Sequence, residues 1–533
     1  MVKKLVLAPT NLSLSVLAVV LLINNIKFWG LLTDKLSISS LNGFAYTLAL
    51  FGLLLFILSV IVFVFGQRRF LKPVLALLAI LSAVLGYFTQ DLGTIFDAEM
   101  LRNMVDNVKE ANTHEAMDLL SWSLIKHVVL FSAPPLALLA LTEVKPQTWL
   151  KDNAQRLLAL LSIAAVTGGL LFANYKYVIY FTRLNRDIRS YITPVYAIAS
   201  SVQLYHRMHK APPVFKPLAT DAKQQKIGTK PTIGIMVVGE TARADHFALN
   251  GYNRPTNPVL SQISDLVTFK QASSCGTSTA FSVPCMFSFL NREDYTPDLA
   301  NEQSNVLDAL KLAGVNAIWI DNNSGCKGVC DRLPKADQRA SSAGEEAQDD
   351  YLLQQLDEIL PTIKSDTLIV LHMLGSHGPA YYKRYPADQA TFTPYCANNT
   401  PQNCESQQII NAYDNTIVYS DKILAGIVER LQKTQPNAES FMLYASDHGE
   451  SLGENGVYLH ALPYAIAPAA QTHIPMLWWM SPDYAQTRNL SVDTLKAQQD
   501  KAVSHDFLSH TLLGAFNVQT SIYQPELDLL KLK

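Results

Sequence analysis

The chain has 533 residues, of which 49% are hydrophobic and only 17% are charged. This composition excludes an intrinsically disordered protein, a small disulfide-stapled domain and a basic nucleic-acid-binding protein. Residues 1–214 carry a net charge of +8 and residues 215–533 a net charge of −10, within a total of −2. The two parts therefore differ in kind, and no nucleic acid is expected as a partner.

Five long apolar runs precede residue 185, and a helix needs about 20 apolar residues to cross a bilayer. The runs are 12–32, 44–65, 71–88, 124–141 and 157–181. The first run is too long for a cleaved signal peptide and has no small-residue cleavage site. Buried core helices of a soluble protein are the alternative, but they would leave too little polar surface. We therefore predict five transmembrane helices within residues 1–185.

The positively charged residues around these runs predict the orientation in the membrane. If all five runs span, one side holds Lys3, Lys4, Arg68, Arg69, Lys72, Lys145, Lys151 and Arg156. The short connections on the other side hold Lys35, Arg102 and Lys109 in comparable positions. The N-terminus is then cytoplasmic, and an odd number of spans places everything after residue 181 outside.

All six cysteines lie after residue 270, in three close pairs. This usage is typical of disulfides in an oxidising compartment such as a periplasm. A zinc–thiolate site is the alternative, although the three residues between Cys326 and Cys330 depart from the usual CxxC spacing.

Residues 186–230 are predicted to connect the membrane part to the rest. Residues 195–205 suit an amphipathic helix on the membrane surface, and the proline-containing stretch up to Lys230 suits a linker. A polar segment, 91–120, is compatible with a helix on the external side.

From Pro231 onward, short apolar runs alternate with segments of helical periodicity such as 304–313 and 349–359. The candidate strands are 233–238, 317–320, 368–374, 441–445 and 474–479. This alternation predicts an α/β domain over residues 231–533 with a mostly parallel central sheet. Ligands bind such sheets beyond the carboxyl ends of the strands.

Three candidate strands are followed by acidic or imidazole side chains. Glu240 follows the first, His377 the third, and Asp447 with His448 the fourth. Each residue alone has an ordinary explanation, such as a helix first turn or a solvated turn. Together at one sheet edge, these residue types favour Zn²⁺ or a similar divalent cation, and His460 is a further candidate ligand.

The segment 275–285 offers hydroxyl groups for such a metal ion to activate, namely those of Thr277, Ser278, Thr279 and Ser282. A bridge between its two terminal cysteines would hold the loop rigid. The alternative is a loop that only caps a helix. Sequence physics does not choose among the first three hydroxyls.

With these residues, the chain resembles the lipid A phosphoethanolamine transferases, the family that includes the mobile colistin-resistance enzymes. That family lies within the alkaline-phosphatase-like superfamily. The resemblance covers nearly the whole chain. It rests on Val-Val-Gly-Glu240-Thr-Ala-Arg-Ala-Asp-His, Cys-Gly-Thr-Ser-Thr279-Ala, Gly-Ser-His377-Gly-Pro and Ser-Asp447-His448-Gly-Glu-Ser-Leu-Gly-Glu. It implies a five-helix transmembrane bundle and an alkaline-phosphatase/sulfatase-like hydrolase domain.

The resemblance also implies roles for individual residues. Thr279 matches the nucleophile, and the tightly held zinc ion would be bound by Glu240, Thr279, Asp447 and His448. His377 and His460 match histidines that contact substrate phosphate or a second, weaker zinc ion. Lys327 matches a lysine near the phosphoryl group.

The family pairs its cysteines locally, which implies the disulfides Cys275–Cys285, Cys326–Cys330 and Cys396–Cys404. The resemblance further suggests Asn103, Asn107 and Glu115 as contacts of the lipid headgroup. Asn107 stands where the family often has threonine, so this assignment departs from the family pattern, and polar residues on a wet loop need no function.

The implied activity is transfer of phosphoethanolamine from phosphatidylethanolamine to a lipid A phosphate through a covalent phospho-threonine intermediate. The expected location is a Gram-negative inner membrane, and the expected consequence is resistance to polymyxins such as colistin. A monomer is expected. The alternatives are a phosphoethanolamine or glycerol-phosphate transferase with another lipid or glycan acceptor, and a non-catalytic membrane sensor.

Overall fold

The computed structural model describes residues 4–36, 40–109, 119–185, 187–209, 214–341 and 348–532. The chain divides into two compact units. The membrane unit comprises Met1–Leu101 and Leu120–His209, and the second unit comprises Arg102–Leu119 and Lys210–Lys533. The finer division at residues 185 and 230 stays a prediction.

The N-terminal part of the chain is helical. Its helices are α1 (Pro9–Ile23), α2 (Ile26–Lys35), α3 (Leu41–Phe65), α4 (Leu71–Tyr87), α5 (Ala98–Lys109), α6 (Trp122–Leu141), α7 (Trp149–Ala173), α8 (Tyr175–Leu184) and α9 (Val195–Met208). A π-helical turn, Phe88–Leu92, extends α4. Two short strands, Leu5–Leu7 and Thr142–Val144, pair in parallel.

Within the described residues, four helices are long and apolar enough to cross a membrane, and α1 with α2 makes a fifth span if this bent pair counts as one. The predicted membrane helices are therefore confirmed, while the number five depends on that pair. Amphipathic residues 195–205 do form a helix, α9. The predicted external helix corresponds in part to α5, and residues 110–118 and 210–213 lie outside the described residues.

Two predicted spans are interrupted at asparagines. The axes of α1 and α2 differ by 66° around Asn24 and Asn25. Asn25 exchanges hydrogen bonds with the backbone of Thr193, with its Nδ2 donating at 2.8 Å and its Oδ1 accepting at 2.7 Å. The fifth run is divided at Asn174, between α7 and α8. At both breaks an asparagine amide bonds to the backbone. Asn25 bonds to Thr193, and Asn174 Nδ2 donates to the Leu170 carbonyl at 2.9 Å. Side chains that compete for backbone groups in this way interrupt a helix.

The second unit is built around one mixed sheet. Its strands are β1 (Thr232–Gly239), β2 (Val267–Ser273), β3 (Asn316–Asp321), β4 (Gln338–Ala340), β5 (Thr367–His372), β6 (Glu439–Ser446), β7 (His473–Met480) and β8 (Ala502–Ser504). Among the described residues the spatial order is β8-β2-β7-β6-β1-β5-β3-β4. β7 is antiparallel to both neighbours, and the five other adjacent pairs are parallel.

All five predicted strands are present, within a few residues of their predicted ends. β2, β4 and β8 were not predicted. The helices of this part are α10 (Thr279–Met286), α11 (Pro297–Asn301), α12 (Val306–Leu312), α13 (Asp350–Ile359), α14 (Ser406–Lys433), α15 (Ala469–Thr472), α16 (Pro482–Thr487), α17 (Val492–Lys496) and α18 (Asp506–Ala515).

The central strand β1 is buried on both faces, which explains its uninterrupted apolar sequence. Met236 and Val238 face one hydrophobic core, to which α12 and α18 contribute. Ile235 and Val237 face a second core, to which α13 and α14 contribute. This two-sided packing fixes the strand positions and hence the positions of the residues that follow them.

The strand register aligns the carboxyl ends of four adjacent strands, β6, β1, β5 and β3. Gly239 of β1 pairs with Ser446 of β6, and its neighbour Val238 pairs with His372 of β5. His372 in turn pairs with Asp321 of β3. Because these strands are parallel, the residues that follow them meet at one edge of the sheet.

Candidate active site

Four of the predicted site residues form one buried cluster at this edge. The Thr279 hydroxyl donates to Glu240 Oε2 at 3.1 Å and lies 3.5 Å from His448 Nε2. The same imidazole nitrogen lies 3.2 Å from Asp447 Oδ2 and 3.6 Å from Glu240 Oε1. All four side chains are at most 4% exposed. The structure therefore brings together the four residues that the resemblance assigned to the tightly held metal ion.

The structure separates the hydroxyl groups that the sequence could not distinguish. Thr277 Oγ1 donates to the carbonyl of Leu462 at 2.6 Å. Ser278 is the extended N-cap residue of α10, and Thr279 is the first residue of that helix. Among these three residues, Thr279 is the one whose hydroxyl contacts both the carboxylate and the imidazole.

Backbone contacts orient Asp447 and His448. Asp447 Oδ1 accepts from the N–H groups of Thr241 at 3.1 Å and His448 at 2.7 Å. Asp447 Oδ2 is buried and has no hydrogen-bond partner among the described residues. His448 Nδ1 donates to the Gly449 carbonyl at 2.9 Å, so Nε2 presents its lone pair to the cluster.

Burial governs the protonation of these two side chains. Burial, reinforced by the nearby His460 imidazole, holds the pKa of His448 well below its ordinary value, so the ring is neutral at pH 7. Burial also raises the pKa of Asp447 to about 6, although backbone hydrogen bonds act in the opposite direction. A neutral imidazole beside buried carboxylates is the donor set that a divalent cation requires.

Glu240 is held by groups that sequence analysis did not single out. Asn323 Nδ2 donates to Glu240 Oε2 at 2.9 Å and to the Met373 carbonyl at 2.8 Å. Gly375, at φ +53°, packs so tightly that a Cβ there would lie 2.7 Å from the Glu240 carbonyl oxygen. Asn323 follows β3 closely, so the strand-end rule that selected Glu240 also applies to it.

His377 and His460 extend the cluster. The ring centroid of His460 lies 4.4 Å from that of His448 and 5.5 Å from that of His377. His460 Nδ1 lies 3.1 Å from Glu450 Oε2, a fully buried carboxylate that was not predicted. Three segments of the chain thus converge, carrying His377, His448 with Glu450, and His460, and only the tertiary structure shows the partner of His460.

Lys327 lies in the loop after β3, half-buried and at φ +50°. Its ammonium group donates to the Ser324 carbonyl at 2.5 Å. The suggested contact of Lys327 with a phosphoryl group stays a prediction.

The structure contains three disulfides with the pairing that the resemblance implied, Cys275–Cys285, Cys326–Cys330 and Cys396–Cys404. Cys326 and Cys330 lie near Asp331, but their sulfurs are bonded to each other and are not thiolates. The alternative of a zinc–thiolate site at this pair is therefore excluded.

Two of the three suggested headgroup residues lie in α5. Asn103 lies half-buried in α5, and Asn107 belongs to the same helix. Glu115 lies outside the described residues. Their roles stay predictions.

The buried cluster fits a metal ion. Glu240, Asp447 and His448 each offer one ligand atom, and these atoms lie within 4.8 Å of one another. The buried Asp447 Oδ2, without a hydrogen bond to any described residue, points to a missing positive partner. Oxygen and imidazole donors without thiolates are compatible with Zn²⁺.

The fold and this site together define a membrane-anchored enzyme of the sulfatase-like class. Residues 233–518 match the family model Sulfatase, and residues 51–208 match the model Phosphoethanolamine transferase EptA/EptB. The chain is 38% identical to phosphatidylethanolamine transferase Mcr-1 of Escherichia coli over 514 residues, which cover 93% of this chain and 92% of that protein. It is 37% identical to phosphoethanolamine transferase EptA of Escherichia coli K12 over 525 residues, covering 95% and 94%.

A solved structure extends the similarity over both units. Integral membrane lipooligosaccharide phosphoethanolamine transferase A from Neisseria meningitidis aligns with a TM-score of 0.89 and 32% identity, covering 99% of each chain. The chain belongs to the EptA family of phosphoethanolamine transferases.

Proposed function

We propose that this enzyme transfers phosphoethanolamine from phosphatidylethanolamine to a lipid A phosphate through a covalent intermediate on Thr279. The observation that carries the proposal is the Thr279 hydroxyl, which lies 3.1 Å from Glu240 Oε2 and 3.5 Å from His448 Nε2 in a buried cluster. The relatives support the substrates, because they are named as phosphatidylethanolamine and lipooligosaccharide phosphoethanolamine transferases.

Zinc is the metal that this donor set favours, because the site offers two carboxylates, one imidazole and one hydroxyl. Glu240, Thr279, Asp447 and His448 would hold one tightly bound ion. When bound, the ion would supply positive charge that favours the threonine alkoxide and stabilises the phosphoryl oxygens. His377 and His460 would contact either the substrate phosphate or a second, weaker ion.

The transfer then has two balanced halves. Thr279 Oγ1 forms a bond to the donor phosphorus, the bond from phosphorus to the diacylglycerol oxygen breaks, and that oxygen takes up a proton. A lipid A phosphate oxygen next attacks the same phosphorus, and the bond to Thr279 breaks. The threonine regains a proton and the enzyme is restored.

The other site residues would act on charge and position. Because Thr279 is the first residue of α10, the backbone N–H groups of that turn would lie near the reacting phosphoryl group, where a helix start favours anions. Lys327 would neutralise phosphoryl charge, and Asn103, Asn107 and Glu115 would contact the donor headgroup.

We further propose an inner-membrane protein with five spans, a cytoplasmic N-terminus and a periplasmic catalytic domain, active as a monomer. Residues 1–185 would form the transmembrane domain, residues 186–230 the connector and residues 231–533 the catalytic domain. Donor and acceptor are both membrane lipids, which explains the anchor. Masking a lipid phosphate with an amine should weaken the binding of cationic peptides such as polymyxins.

The experiment is an intact-mass and peptide-mapping measurement after incubation with phosphatidylethanolamine. We expect one phosphoethanolamine group on the Thr279 peptide of the wild type, none in T279A, and none after metal chelation. S278A is the matched control, because it removes a hydroxyl one residue away, and it should keep the adduct.

The outcomes separate the parts of the proposal. Release of diacylglycerol without an adduct would contradict an accumulating intermediate and favour direct transfer. An adduct on another residue would contradict Thr279 as the nucleophile. No diacylglycerol at all would contradict phosphatidylethanolamine as the donor and favour another phospholipid.

A further inference from the structure

We infer that the membrane unit carries a binding site for the headgroup of a zwitterionic phospholipid with a primary ammonium group, where the end of α4 meets the break between α1 and α2. The inference rests on the proposed function, because phosphatidylethanolamine is the donor there, and it concerns where the donor is held before its headgroup reaches Thr279 and the contacts proposed for the transfer. The headgroup site is built from Asn24, Lys27, Gln90, Asp91 and His127.

The two asparagines in the break have different surroundings. Asn25 uses its amide to hold the Thr193 backbone. Asn24 is only 1% exposed, yet neither its Nδ2 nor its Oδ1 has a hydrogen-bond partner among the described residues. The break is therefore explained by Asn25, whereas the buried amide of Asn24 lacks a structural role.

A second amide reaches the same place from α4. A Cβ built on Gly86 would lie 3.0 Å from Gln90 Nε2 and 3.6 Å from Asn24 Oδ1. Gln90 Nε2 is likewise buried and has no partner within the described part of the chain, and the same holds for Thr94 Oγ1. Unpaired buried polar groups are costly and rare, so a local group of them points to a bound polar molecule.

Charged groups border these amides. Asp91 Oδ2 lies 3.1 Å from His127 Nδ1, while His127 Nε2 is buried without a partner among the described residues. Asp91 is close enough to Lys27 for their charges to interact. Asp91 and His127 belong to the candidate spans Leu71–Leu92 and Trp122–Leu141, and ionisable side chains within membrane spans are costly and commonly mark functional sites. Here a cation and a carboxylate lie beside groups that can both donate and accept hydrogen bonds.

This combination matches an ethanolamine headgroup better than a glycerol or a choline headgroup. Lys27 and the Gln90 N–H donors suit the phosphate, whereas Asp91 and Asn24 Oδ1 suit an ammonium group with three N–H donors. A glycerol headgroup has no cation for Asp91. A choline headgroup has no N–H donor for Asn24.

The position along the helices agrees with a donor from the outer leaflet. Gln90 and Asp91 follow the end of α4, whereas Arg69 and Lys72 lie at its start. In the proposed orientation the start faces the cytoplasm, so the headgroup site lies at the periplasmic end. His127 lies in the first turns of α6, which begins at the same end.

The test is native mass spectrometry of the full-length protein, which counts the lipid molecules that the protein retains. The protein is released from micelles that contain equal amounts of phosphatidylethanolamine and phosphatidylglycerol. All variants are made in the T279A background, so retention is measured without turnover. We expect K27Q and Q90L each to reduce retained phosphatidylethanolamine about tenfold, as for the loss of a charge-assisted hydrogen bond. K126Q is the matched control, because Lys126 is an exposed lysine next to His127, and it should change retention less than about twofold.

Q90L keeps the inference testable if K27Q fails to fold. Leucine has nearly the size of glutamine but cannot bond to a headgroup, so Q90L should lose lipid without losing thermal stability. Equal retention of both lipids, or equal retention by Q90L and K126Q, would overturn the inference. Competition by soluble phosphoethanolamine, but not by inorganic phosphate, would support recognition of the whole headgroup, and the reverse would overturn it.

The two proposals fail separately. If the wild type forms the threonine adduct but K27Q and Q90L do not change lipid retention, the transfer proposal stands and the headgroup site is contradicted. Retention that responds to both variants, with neither a threonine adduct nor released diacylglycerol from the wild type, would keep the headgroup site and remove the transfer.

Discussion

The two units use the same apolar residue types in opposite ways. All eight residues of β1 are buried within the protein, whereas only 22% of the most apolar stretch of α3 and 11% of that of α7 are buried. In water, burying apolar side chains drives folding, but lipid tails are as apolar as leucine and give no such drive. High hydropathy therefore predicts both the membrane helices and the central strand. The surrounding solvent decides whether the apolar side chains are buried in protein or face lipid.

Each unit has a buried polar atom at the end of an element that has no hydrogen-bond partner among the described residues. Asp447 Oδ2 lies just beyond the end of β6, and the Asn24 amide lies just beyond the end of α1, both without hydrogen bonds to described residues. Element ends are where the backbone leaves its regular pattern and can present side chains to a ligand. These two atoms lie at the places where function is proposed.

The largest expected effect distinguishes two fully buried aspartates. Asp447 has an oxygen left for a cation, whereas Asp414 pairs with His246 at 2.6 Å and with Arg254 at 2.6 Å. D447N should lose bound zinc, measured by elemental analysis, and should lower the transfer rate at least about a hundredfold. D414N should keep zinc but lower the free energy of unfolding by about 3–5 kcal/mol, because it breaks a buried ion pair. Zinc retained by D447N would contradict the proposed ligand.

The next prediction compares two phenylalanines. The Phe441 ring is fully buried and stacks on Trp478 at a centroid distance of 5.0 Å, whereas Phe172 in α7 is 81% exposed. F441A should lower the free energy of unfolding by about 3–5 kcal/mol through the cavity that it leaves. F172A should cost less than about 1 kcal/mol. The exposed ring faces lipid rather than protein, so its removal leaves no cavity in the protein. Denaturant unfolding in detergent, followed by tryptophan fluorescence, measures both. Equal costs would mean that Phe172 packs against protein.

The smallest expected effect concerns pH. Burial lowers the pKa of His505 to about 4, and its ring accepts from the Cys275 N–H at 3.0 Å and lies 2.9 Å from the Ser446 carbonyl. The unfolded chain takes up a proton below about pH 6.5, but the folded ring stays neutral until about pH 4. His505 therefore lowers stability as the pH falls through this window, by on the order of 3 kcal/mol in total.

A difference measurement is needed for this prediction. Burial raises the pKa of Asp421 and Asp528 to about 6, and such carboxyl groups gain stability as the pH falls below 6. These opposite trends partly cancel in the wild type. Unfolding free energies of wild type and H505Q should therefore converge between pH 6.5 and 4. Parallel curves would contradict a neutral buried His505.

Much of the fold could be predicted from sequence where a segment carries its own signal. The apolar runs predicted the membrane helices, and the run 233–238 predicted β1, because each segment's composition decides its surroundings. β2, β4 and β8 could not be predicted this way. β8 has three residues and exists because it pairs with β2, which in turn needs β7. Such strands depend on distant partners rather than on local pattern.

The sequence by itself determined which residues could carry the chemistry, because Glu240, Asp447 and His448 follow strands whose apolar pattern is local. Only the tertiary structure decided which hydroxyl faces them, which carboxylate holds His460, and that Asn323 supports Glu240. It also decided that the first span breaks where Asn25 meets Thr193, 168 residues away. Sequence periodicity shows which face of a helix or strand is apolar and which is polar. Contacts between residues that are distant in the sequence form only when the chain has packed.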